Sequence, residues 1–83
     1  MNVKLKSEKS IVSEYRESIG KTIREFREKK GYSQDHLAEM MNVDRSTISK
    51  VENGKFAISI DYLAKFSQHL DFEIALIKNQ TEH

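Results

Sequence analysis

Residues 43–55 read VDRSTISKVENGK, a stretch in which apolar, hydroxyl and basic side chains recur at helical intervals. At about 100° per residue, with Arg45 at zero, Ile48 and Val51 fall near 300° and 240°, while Ser46, Ser49 and Lys50 fall near 100°, 40° and 140°. The side opposite the apolar pair is therefore short, hydrogen-bonding and positive. Arg45 and Lys50 bring charge and N–H donors, and the serine hydroxyls donate or accept, which makes a surface able to touch a partner. Thr47, at about 200°, lies nearer the core flank than Ser46. An ordinary solvated face would look the same, and this stretch alone leaves both readings open.

The rest of the chain removes other chemistries. It has no cysteine, which excludes disulfide staples and thiolate metal sites and suits a reducing compartment. His36, His69 and His83 lack metal-ligand spacing, so they read as polar residues, and no metal or cofactor is expected. Ser18-Ile-Gly-Lys21 fits a bare SxxK pattern without the companion motifs of that chemistry. With no glycine-rich phosphate loop and no catalytic constellation, no enzyme is expected. The longest apolar runs, Phe56–Ile58 and Ala75–Ile77, are three residues each, too short for a signal peptide or membrane span. A cytoplasmic address follows by default, where the formal sequon Asn79-Gln-Thr81 has no role. The net charge is +1, but residues 1–56 carry twelve Lys and Arg against nine Asp and Glu, and residues 57–83 two against four. That asymmetry is compatible with DNA binding without being diagnostic of it.

Ile11, Tyr15, Ile19, Ile23 and Phe26 form a helical seam from about Ser10 to Lys30, stopped by Gly31. Gly20 within it costs helix propensity. Ser33 can cap a second short helix with Leu37, Ala38 and Met41 on one face, ended by Asn42, which tolerates left-handed backbone. Asp44 holds the N-cap position of a third helix, its carboxylate placed to accept from the next turn, and that helix closes at Asn53-Gly54. Ser59 can cap a fourth, whose apolar side is Ile60, Leu63, Ala64 and Leu70. From Phe72 to Ile77 the pattern alternates, which predicts a strand, followed by a frayed tail. The division is an N-terminal arm at 1–9, a domain at 10–70 with its third helix about 45–53, and a strand and tail at 71–83. A chain of this size buries only about 60% of its unfolded surface, so dimerisation would be a natural supplement.

Two short helices joined by roughly Asn42–Asp44 make a helix-turn-helix, with small Ala38 where the helices approach. On Ile19-Gly-Lys-Thr-Ile-Arg-Glu-Phe-Arg27, Ser33-Gln-Asp-His-Leu-Ala38, Val43, Ser46-Thr-Ile-Ser49, Val51-Glu-Asn-Gly54 and Leu63-Ala64, the chain resembles the Cro/CI-type repressors, or XRE-family helix-turn-helix regulators. It departs from them at Asn42, where glycine is usual, and at Ala57-Ile58-Ser59, where a proline is common. The resemblance implies a mainly all-α, lambda-repressor-like bundle of four helices, to which the alternating segment adds a C-terminal strand. It implies base contacts from Arg45, Ser46, Thr47, Ser49 and Lys50, and phosphate contacts from Ser33, Gln34, Asn53 and Lys55. It also implies a structural ion pair between Arg27 and Glu52, which fits the placement of Glu52 on the flank of the apolar face, where a carboxylate needs a partner.

The strand can pair with Asn2–Leu5 of its own chain or, the favoured alternative, through Phe72, Ile74 and Leu76 with a second copy across a two-fold axis. The function expected is a DNA-binding transcriptional regulator, a repressor on palindromic double-stranded operator DNA as a homodimer. The alternative is an antitoxin or adaptor that binds a partner protein, such as a toxin, and regulates its own operon. Neither involves a membrane.

Overall fold

A computed structural model describes residues 7–79, which hold four helices: α1 (Glu8–Lys29), α2 (Gln34–Met41), α3 (Arg45–Glu52) and α4 (Ile60–Leu70). Three start on a serine whose hydroxyl accepts an amide of the first turn. Ser7 takes Ser10 at 3.1 Å, Ser33 takes His36 at 2.9 Å and Ser59 takes Tyr62 at 3.0 Å. Asp44 has the extended backbone of an N-cap, but its carboxylate accepts no amide of α3. The Thr47 amide instead bonds to the Asp44 carbonyl at 2.9 Å, so only the backbone half of the expected cap is present.

Each helix closes by the same device. Gly31, Asn42, Gly54 and Asp71 have φ of 75°, 59°, 71° and 57°, and the next residue's amide reaches back to a carbonyl of the last turn. Those bonds are Tyr32 to Arg27, Val43 to Ala38, Lys55 to Lys50 and Phe72 to Ser67. This left-handed closure satisfies carbonyls that the helix leaves without partners. Asn42 therefore turns the chain as expected, whereas Asp71 does so unannounced and also pairs its carboxylate with Lys30.

The core is Ile23 of α1, Leu37, Ala38 and Met41 of α2, Ile48 and Val51 of α3, and Phe66 and Leu70 of α4. Two expectations about its edges need correction. On α1 only Ile19, Ile23 and Phe26 of the seam reach it, while Ile11 and Tyr15 remain exposed because α1 starts about two turns before the elements that cover it. On α4, Ile60 is 65% exposed and Ala64 is exposed. The inward side is Tyr62, Leu63, Phe66 and Leu70, which fall within about 100° of one another, with Ile60 and Ala64 opposite.

No strand occurs among the described residues. Phe72 lies against Phe26, with ring centroids 5.3 Å apart, but Leu76 is 98% exposed and Ile77 83%. Alternation alone does not make a strand, because a ladder needs a second backbone. The alternative partner Asn2–Leu5, the rest of the arm before Ser7, and the tail with His83 lie outside the described residues.

Candidate nucleic-acid interface

Helix α3 is divided by angle as its sequence requires. Ile48 and Val51 are buried, Arg45, Ser46 and Lys50 are exposed, and Thr47 and Ser49 on the flanks are half-buried. The exposed side carries two cations and a hydroxyl and no acid, since the α3 carboxylate, Glu52, points inward. Asn53 and Lys55 follow it, both exposed, and Ser33 and half-buried Gln34 begin α2.

What holds α3 in place is a hub built on Glu52, whose side chain has no exposed surface. Arg27 forks onto it, Nε donating to Oε2 at 2.6 Å and Nη2 to Oε1 at 3.0 Å. The remaining Arg27 nitrogen, Nη1, donates to the Tyr32 carbonyl at 2.7 Å, tying the fork to the end of α1. Gln34 Nε2 donates to Oε1 at 3.0 Å, and Arg24 Nε reaches the same oxygen at 3.4 Å. Thus α1, α2 and α3 meet on one carboxylate. Burial pushes the Glu52 carboxyl up, but the hydrogen bonds from Arg27 and Gln34, the Arg27 charge and Arg24 outweigh it and hold it below the ordinary glutamate value. The hydrogen bond to Glu52 likewise raises Arg27 against the opposing effect of burial.

The Arg27–Glu52 pair is where the sequence places it. Gln34 has a second task, since its amide nitrogen is occupied by Glu52. Arg24 of α1 also joins the hub and extends it to Asn53 Oδ1 at 3.5 Å, from which Asn53 Nδ2 donates to Ser49 Oγ at 3.4 Å. One signal could have found Arg24: it precedes Arg27 by three residues, so both lie on one face of α1. Gly20 was legible only as a cost. A Cβ built there would lie 2.2 Å from the Val51 carbonyl oxygen and 2.9 Å from that of Glu52, so only glycine lets α1 approach the last turn of α3.

Comparison with known proteins gives the same architecture. The HTH_3 family model, described as helix-turn-helix, matches residues 23–77. The HTH-type transcriptional regulator SinR of Bacillus subtilis strain 168 is 38% identical over 69 residues, covering 78% of this chain and 62% of SinR. The restriction-modification controller protein C.AhdI of Aeromonas hydrophila superposes with a TM-score of 0.68 at 35% identity, over 72% of this chain and 91% of that one. The HipB chain of a HipB–O1–O2 complex gives a TM-score of 0.65 at 21% identity over 93% of this chain and 100% of its own, a likeness of fold. The chain spans under two thirds of SinR and only 16% of a matching protein from Pyrococcus furiosus.

Proposed function

The chain belongs to the helix-turn-helix family, and from that premise we propose that it is a sequence-specific DNA-binding transcriptional regulator. In this reading two copies place one α3 each in successive major grooves of a palindromic operator and repress by occupying it. The observation that carries it is the exposed face of Arg45, Ser46 and Lys50 on a helix held from behind by a hub built on the fully buried Glu52 carboxylate. Residues at the start of such a helix reach base edges, with Arg45 and Lys50 suited to guanine. Ser33, Gln34, Asn53 and Lys55 flank it as phosphate contacts that set its register. The regulatory roles named for SinR and C.AhdI support the same reading. The second copy would pair along Phe72, Ile74 and Leu76, which gives the unladdered segment a partner strand and covers Leu76.

Selection from a random DNA pool tests this. A palindrome should emerge, its binding weakening steeply with salt as phosphate contacts release counterions. Lys50→Ala should lose about 1–3 kcal/mol of operator binding and relax one base position. An unenriched pool would favour the second reading, an antitoxin or adaptor that covers the exposed Ile74, Leu76 and Ile77 with another protein.

A further inference from the structure

Two consecutive residues of α2's first turn reach α3 at its two ends. Gln34 reaches Glu52, the last residue of α3, and Asp35 reaches Arg45, the first, with Oδ1 3.4 Å from Arg45 Nε. The first contact belongs to the buried hub. The second is different in kind, because both partners stand in water, Arg45 at 63% and Asp35 at 78% side-chain exposure. A pair so exposed contributes little to stability. We propose that Asp35 is a specificity-determining residue that positions the Arg45 guanidinium for a single base and discourages binding elsewhere; this rests on the regulator reading above.

The geometry supplies the reason. A guanidinium has five N–H donors, and Asp35 meets the Nε side. The outer edge, Nη1 and Nη2, is left with two parallel donors, the arrangement that fits guanine O6 and N7 together. An unrestrained arginine at the same place would satisfy itself on any nearby phosphate, which carries no sequence information. Once the groove excludes water, the carboxylate acts on Arg45 through a lower effective dielectric than in the free protein. In the groove its negative charge, beside Arg45, would also lie near the phosphates of any sequence. Only a site with guanine opposite Arg45 compensates for that repulsion, so the acid lowers affinity generally and raises discrimination.

The test uses the full chain, the selected operator, its three single-base variants at the Arg45 position, and a random duplex. Asp35→Ala should bind the random duplex more tightly than wild type and discriminate the four bases about tenfold less well. Asp35→Asn, which keeps the shape and removes the charge, should move both readouts the same way. With Arg45→Ala as background, Asp35→Ala should leave base preference at that position unchanged. Retention of the wild-type preference by Asp35→Ala, in a protein that does select an operator, overturns this inference and leaves the regulator reading intact. A wild-type chain with no preference among duplexes overturns both.

Discussion

Helix α3 carries two polar clusters built on opposite terms. At its inner end Glu52 has every oxygen engaged by α1 and α2 and no exposed surface. Along its outer side Arg45, Ser46 and Lys50 stand in solvent, with Asp35 facing Arg45. The inner charges fix where the helix lies; the outer ones are available to a ligand. The contrast teaches that charge at this helix holds structure or faces solvent according to burial, not residue type. Arg27 of α1 is buried in the inner cluster, whereas Arg45 of α3 stands exposed in the outer one.

The comparison breaks first at Arg27. Arg27→Ala should cost about 3–5 kcal/mol in urea unfolding, because Glu52 is left buried with its principal partner gone. Replacing Arg27 and Glu52 together by apolar residues of similar size should cost less than that single change. Next is Gly20→Ala, expected to cost about 1–3 kcal/mol despite the better helix propensity of alanine, since the new methyl meets backbone oxygens. A third lever is acid. Glu52 is held below the ordinary glutamate value in the folded chain, so the unfolded chain takes up the proton first. The stability it contributes is present above the ordinary glutamate value and is lost as pH falls through the lowered one. Unfolding midpoints measured across that range should drop for the wild type and drop less for the doubly apolar variant. The smallest effect sharpens the contrast: Lys50→Ala should leave the unfolding free energy within about 0.5 kcal/mol of wild type while weakening DNA binding.

Much of this arrangement was legible in the residues, and the remainder shows what periodicity cannot see. Ser33, Ser59, Gly31 and Asn42 mark helix ends because caps depend on local chemistry. Helical angle separated Ile48 and Val51 from Arg45 and Lys50. Angle defines a face but does not say what covers it, which is why Ile11 and Tyr15 continue the seam of α1 yet stay exposed. On α4 an apolar Ile60 suggested a face that the bulkier pair Tyr62 and Phe66 decides otherwise. Arg24, Gln34 and Gly20 owe their roles to another helix's last turn, a proximity that exists only after folding. The segment 72–77 alternates correctly, but pairing depends on a second backbone that its own described chain does not supply.

The turn between α2 and α3 has a consequence for binding thermodynamics. Asn42 is set left-handed, Val43 is bonded back to Ala38, and both ends of α3 are reached from the first turn of α2. On the regulator reading, a unit fastened this way would enter a groove already ordered, and little conformational entropy would be lost on association. Calorimetry of DNA binding should then show a heat-capacity change sized to the surface that docks, without the larger signature of a segment folding as it binds. Any adjustment needed for fit falls on the duplex, whose stiffness differs from sequence to sequence. Operator positions that no side chain touches would therefore still affect affinity through the work of bending them.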